Sequence, residues 1–193
     1  MKRICVFCGS NPGIDPIYPE TAEKVGKFLV SENIELVYGG GRVGLMGKIA
    51  DTVMQNGGKV IGVIPHDLSE KEVAHQNLTE LHIVDSMHER KAMMAELADG
   101  FIALPGGVGT FEEFCEIVTW AQLGIHTKPC ALMNVGGFYD PFIAMLDHSM
   151  NQGFIRPEHR ALVLVESEIG KLFQLMKAFR PPIIEKWLHK EST

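Results

Sequence analysis

Residues 100–119 read Gly100-Phe-Ile-Ala-Leu-Pro-Gly-Gly-Val-Gly-Thr-Phe-Glu-Glu-Phe-Cys-Glu-Ile-Val-Thr119. The order of residue types in this stretch decides the fold. Phe101 to Leu104 is a short apolar run of the kind a buried parallel strand gives. Pro105 ends it, and Gly106, Gly107 and Gly109 let the backbone turn without a Cβ in the way. Thr110 stands where a helix N-cap is expected, and a helix follows through Phe111, Phe114, Cys115 and Val118. A glycine turn between strand and helix presents backbone N–H groups at the positive end of a helix dipole, which suits a phosphate. Glu112 and Glu113 lie just beyond, where an acid could act on whatever that phosphate anchors.

Outward from this stretch the pattern repeats. Strands are expected at Arg3–Cys8, Ile34–Tyr38, Lys59–Ile64, Leu81–Asp85, Pro129–Asn134 and Leu162–Val165. Helices are expected at Tyr18–Ser31, to about Gln55, over Ser86–Leu97, from about Pro141 to Asn151, and to about Ala178. A short terminal helix carries Trp187, and residues 66–80 read as a polar loop with one helical turn. Alternation at this spacing predicts an α/β fold: a parallel sheet of about seven strands with helices on both faces. Ligands of such sheets bind beyond the carboxyl ends of the strands. Ser10 follows the first strand there, Gly40 and Gly41 the second, and Gly106 to Thr110 the fifth, so these loops are expected to share one crevice.

Composition narrows the classes. The 193 residues suit one domain, 1–193, with a sizeable core. A net charge of −6 argues against a generalised nucleic-acid surface. No apolar run approaches the roughly 18 residues of a membrane helix, and Ile4 to Phe7 is too short for a signal-peptide core. A cytoplasmic protein with reduced thiols is therefore expected. Cys5, Cys8, Cys115 and Cys130 lack zinc-site spacing. The Cys5-x-x-Cys8 pair lies inside a strand, not at a helix start, so a redox role is not expected. The eight histidines show no metal spacing.

Several residues carry two readings. Gly39-x-Gly41-x-x-Gly44 matches a dinucleotide fingerprint, but it follows the second strand and no acid ends the next one. Gly47-Lys48 is followed by Ile49, so a P-loop fails. Glu113 stands three residues after Thr110, and Glu89 three after Ser86. Both pairs read as capping boxes, and for Glu113 the cap competes with a catalytic role. Arg90 is either a solvated helix residue or a cation beside an anionic substrate. Glu72 reads as an exposed loop acid, and Thr119 as a helix residue bonded to its own backbone. The methionines of helix 86–97 read as core or interface filler.

Pro105-Gly-Gly-Val-Gly-Thr-Phe-Glu-Glu113 resembles the P-G-G-x-G-T-x-x-E motif of the "Lonely guy" (LOG) family, and Met87-His-Glu-Arg-Lys-Ala-Met-Met94 resembles its second motif. Phe7-Cys-Gly-Ser10, Tyr38-Gly-Gly-Gly-Arg-Val-Gly-Leu-Met-Gly47 and Thr119-Trp-Ala-Gln-Leu-Gly-Ile-His126 fit in the same order. The resemblance runs from about residue 4 to 165. It implies a Rossmann-like three-layer sandwich and a homodimer with sites near the subunit interface. It also implies a phosphoribohydrolase that cleaves cytokinin riboside 5′-monophosphates or AMP to free base and ribose 5-phosphate, without a metal or organic cofactor. By position it makes Glu113 and Arg90 catalytic. Glu72, Lys91, Gly107, Val108, Gly109, Thr110, Phe111, Glu112 and Thr119 would line the nucleotide site. Arg42 stands where many relatives have a small residue. The lysine decarboxylase label that such sequences carry gains nothing here, since no lysine stands out as a Schiff base. Two rivals are a nucleotide or molybdenum-cofactor carrier of the same fold and a dinucleotide-dependent oxidoreductase.

Overall fold

The strand β1 (Arg3–Phe7) lies at the centre of the molecule and explains its layering. Ile4 and Val6 face one side of the sheet, Cys5 and Phe7 the other, and all four are fully or almost fully buried. A strand covered on both faces is the signature of a parallel sheet with helices above and below. The computed structural model describes residues 1–69 and 74–182 and shows that arrangement. The other strands are β2 (Glu35–Tyr38), β3 (Val60–Pro65), β4 (Glu80–Val84), β5 (Gly100–Ala103), β6 (Cys130–Met133) and β7 (Val163–Glu166). Their order is β4-β3-β2-β1-β5-β6-β7, and every pairing is parallel.

The helices α1 (Ile17–Ser31), α2 (Gly44–Gln55) and α8 (Ile169–Ala178) cover one face. The other face is covered by α4 (Met87–Leu97), α5 (Val108–Gln122) and α6 (Asp140–Asn151). Two short helices, α3 (His66–Ser69) and α7 (Pro157–Arg160), lie in connections. The Rossmann-like three-layer architecture expected from the sequence is thus present, with seven strands among the described residues. Cys5 and Cys8 sit in opposite cores, as an odd spacing along a strand requires, so their C-x-x-C is not a redox pair.

Chain order reverses between β1 and β5: the sheet grows outward from β1 through β2 and from β5 through β6. The loops after β1 and β5 therefore diverge to opposite faces and leave a crevice at their carboxyl ends, the switch point where ligands bind. A Gly9 amide bond to Pro105 O at 3.1 Å ties the two loops together. The buried Tyr139 hydroxyl donates to Leu104 O at 2.6 Å and braces the end of β5. α7 is not foreseen in the sequence reading; Pro157 at its first turn nucleates it directly after Arg156. The terminal helix around Trp187 lies outside the described residues.

Candidate active site

The switch point opens into a cleft of about 300 Å³. Cys8, Gly9 and Ser10 enter it from the loop after β1. Residues 107–110, with Glu112 and Glu113, enter from α5 and the turn before it. Met46 of α2, Leu68 of α3, and Met87 and Arg90 of α4 close the remaining sides.

One end of the cleft is built for an anion. Gly107 is the N-cap of α5, extended (φ −97°, ψ −158°) and with no side-chain cap. The first intrahelical bond is Phe111 N to Gly107 O, at 3.1 Å. The amides of Val108, Gly109 and Thr110 thus have no acceptor within the helix, and they stand at the positive end of a 15-residue dipole. A Cβ on Gly107 or Gly109 would meet no atom within 4 Å. Neither residue has positive φ. Neither packing nor backbone conformation asks for glycine there, so the space they keep is space for a ligand.

The structure corrects one local expectation. Thr110 is not the N-cap: the helix starts two residues earlier, and Thr110 is its third residue, buried. Its hydroxyl lies against Gly106, where a Cβ would overlap it. Gly107 leaves the strand in extended geometry and so starts the helix without a capping side chain. The capping box of Thr110 and Glu113 therefore does not exist, and Glu113 is an interior residue of the second turn. The look-alike pair on α4 is a real cap. Glu89 N donates to Ser86 Oγ at 3.2 Å, and the Glu89 carboxylate accepts from Asp85 N at 3.0 Å.

Glu113 and Arg90 meet in the cleft wall. Their side chains are only 13% and 8% exposed, with Arg90 Nη2 at 3.9 Å from Glu113 Oε1. That separation is an ion pair, too long for a hydrogen bond. Nη2 donates to Gly39 O at 3.1 Å, and Nη1 lies 3.6 Å from Met87 Sδ. Nε is buried without a hydrogen-bond partner among the described residues. Burial and then the nearby Glu113 carboxylate push the Cys8 thiol well up, which leaves it neutral and unreactive.

The other expected residues are distributed unevenly. Ser10 and residues 107–110 with Glu112 line the cleft; Gly106 lines a smaller hollow on the opposite side of the same turn. Lys91 points away, with its ammonium held by Glu112 at 2.5 Å and Glu116 at 3.0 Å. Burial pulls its pKa down, but the bonds to those two carboxylates outweigh burial and raise it. That is the reverse of the depressed amine a Schiff-base nucleophile needs. Phe111 stacks on Phe142 with ring centres 6.0 Å apart, outside the cleft. Thr119 is exposed and donates to Cys115 O at 2.7 Å within its own helix. Gly40 accepts from His75 N at 3.0 Å, and Gly41 pairs with Ala74 in an isolated bridge. Glu72 lies outside the described residues. Cys8, Met46, Leu68 and Met87 are lining residues that the sequence reading does not single out for the site. Cys8, Met46 and Met87 stand inside quoted motifs, which is the one signal that marks them. Among the described residues no group of His, Cys, Asp and Glu could hold a metal, and no helix is long and apolar enough to cross a membrane.

Comparison with known proteins bears on this geometry. A family model described as "Possible lysine decarboxylase" matches residues 46–176. The cytokinin riboside 5′-monophosphate phosphoribohydrolase of Rhodococcoides fascians is 50% identical over 169 residues, 87% of this chain and 85% of that protein. The enzyme of the same name from Oryza sativa subsp. japonica, LOG, is 48% identical over 180 residues, covering 93% and 74%. Among solved structures, the molybdenum cofactor binding protein of Rippkaea orientalis superposes with a TM-score of 0.68 at 19% identity, covering 92% and 97%. The molybdenum cofactor carrier protein of Chlamydomonas reinhardtii gives 0.66 at 18%, covering 91% and 96%. At such identities these last two share the fold and nothing more.

Proposed function

As the chain belongs to the LOG family of phosphoribohydrolases, we propose that it hydrolyses the N-glycosidic bond of purine nucleoside 5′-monophosphates. Cytokinin riboside 5′-monophosphates and AMP are the intended substrates, and free base and ribose 5-phosphate the products. The observation that carries this is the juxtaposition in one cleft of an uncapped helix start, kept clear by Gly107 and Gly109, and the buried Glu113–Arg90 pair.

The 5′-phosphate sits on the Val108, Gly109 and Thr110 amides, with Ser10 beside it. The ribose then lies over the second turn of α5, against Glu113. As the glycosidic bond breaks, its electron pair leaves with the base and positive charge grows on the anomeric carbon. The Glu113 carboxylate stabilises that charge and takes a proton from the water that adds there. The base takes up at a ring nitrogen the proton that Glu113 removed from the water, which restores the carboxylate and completes the addition of water across the broken bond. Arg90 orients the carboxylate and turns its unpaired Nε to a ribose hydroxyl. Met46, Leu68 and Met87 give the base an apolar wall, and thioethers pack well on aromatic faces. The chemistry runs on these side chains alone, with no cofactor called for.

The working unit is one domain acting as a homodimer with its sites near the interface. Support for association, though not for where the sites lie in it, comes from Leu123 and Ile125, apolar and 62% and 64% exposed just past the end of α5. A reducing, cytoplasmic setting suits the four free cysteines. The deciding assay incubates purified protein with AMP and with isopentenyladenosine 5′-monophosphate and follows base release by chromatography. Release from either supports the reading, whereas tight binding without release turns it into a carrier.

A further inference from the structure

Gly39 does not line the cleft, yet the guanidinium of Arg90 occupies the place its side chain would take. A Cβ built on Gly39 would overlap Arg90 Nη2 outright and stand 3.0 Å from Cζ and 3.4 Å from Nε. The same nitrogen donates to Gly39 O at 3.1 Å. The guanidinium therefore lies directly on the bare backbone at the end of β2, and that backbone sets both its position and its tilt. Gly39 has no positive φ, so its conformation is open to any residue. The three atoms nearest to the missing Cβ all belong to the Arg90 guanidinium. Among the neighbours nearest to that Cβ, it is Arg90 that requires glycine at residue 39.

We propose that Gly39 is a positioning residue for hydrolysis: its missing side chain seats Arg90 at the distance from Glu113 that the reaction uses. The inference rests on the phosphoribohydrolase reading and deepens it. A methyl added there first meets the flexible end of Arg90, and no backbone atom is among the three nearest. The phosphate cradle at residues 107–110 belongs to another loop and is left as it is. Substrate binding through the phosphate should then survive while turnover falls.

The test is a double-mutant cycle of Gly39→Ala and Arg90→Ala, read as kcat and KM for AMP, AMP affinity by calorimetry, and thermal melting. Gly39→Ala alone is expected to lower kcat by about 100-fold, the effect of a catalytic group displaced by about 1 Å. KM should change less than about threefold, and the melting temperature little. In the Arg90→Ala background the same methyl should add less than about threefold in kcat or affinity, because nothing remains for it to displace. A crystal structure of Gly39→Ala should show the guanidinium moved from Gly39 O. Equal losses in both backgrounds, or an unmoved guanidinium, overturn the proposal. If Gly39→Ala does not fold, whether or not the double variant does, Gly39 serves the fold rather than turnover and the proposal fails. Wild-type protein that releases no base from any monophosphate removes the enzymatic reading, and the crystal structure then decides the seating of Arg90 by itself.

Discussion

Two glycine loops stand at the ends of β2 and β5, the strands on either side of β1, and they use glycine differently. In the loop after β2 the glycines are filled in by neighbours. Arg90 lies on Gly39, Ile64 is 3.0 Å from where a Gly40 Cβ would be, and Gly44, at φ +59°, is pressed onto the Ser10 backbone. Leu45 N also donates to Gly9 O at 3.0 Å, so this loop buttresses the one after β1. In the loop after β5, Gly106 is likewise packed, by Thr110, but Gly107 and Gly109 have nothing within 4 Å among the described residues. The first loop uses its missing side chains for packing; the second does so at Gly106 and keeps the space open at Gly107 and Gly109. A dinucleotide-like string of glycines is therefore the structural loop here, and the plainer one is the candidate binding loop.

The comparison can be broken experimentally, most sharply at the residue the open loop serves. Glu113→Gln should fold normally and lose at least about 100-fold in base release. A variant that melts early but turns over normally would mean that Glu113 supports the helix. Next in size, AMP should be preferred to adenosine by at least about tenfold in kcat/KM, since only the monophosphate reaches the free amides. Equal turnover of the two rejects the cradle.

The loops themselves should then separate. Gly109→Ala is expected to raise KM for AMP by about tenfold while stability holds or rises by up to about 1 kcal/mol, as alanine is the better helix residue. Gly44→Ala, strained at positive φ and against backbone, should cost about 2 kcal/mol or more by denaturant titration. If both act on stability alone, the two loops are alike after all.

The smallest effect concerns Lys91, which holds Glu112 at the cleft edge. Its pKa is raised in the folded state, so its contribution is fully present below the unfolded value and is lost as pH rises through the folded one. Lys91→Met should be less stable than wild type by a constant amount through neutral pH. That gap should close only above pH 10.5, the ordinary lysine value. A gap that narrows between pH 6 and 8 would place the coupling elsewhere.

Much of the fold is legible in the sequence because its signals are local. Apolar runs such as Ile4–Phe7 and Phe101–Leu104, each ended by glycine or proline, fix the strands, and parallel order follows from the intervening helices. The motif residues that gather in the cleft are legible as well: Ser10, residues 107–110, Glu112, Glu113 and Arg90. What escapes depends on three dimensions. Thr110 looks like a cap because threonine is a good one, yet the backbone had already turned helical at Val108. Lys91 follows Arg90 in sequence but points about 100° away around α4, toward α5 and away from the cleft. Phe111 faces the aromatic ring of Phe142, and Thr119 lies on the same face of α5 as Glu112 but two turns further along, beyond the cleft. Met46 and Leu68 arrive from other layers, and no spacing rule connects them to Glu113.

The buried Nε of Arg90 carries a last consequence. A largely buried guanidinium with one donor unanswered among the described residues costs the resting protein stability. Whatever completes that donor's shell should make the chain harder to unfold. Ribose 5-phosphate, or a slowly turned-over nucleotide, should thus raise the melting point even of the inert Glu113→Gln variant, and raise it less once Arg90 has been cut back to alanine.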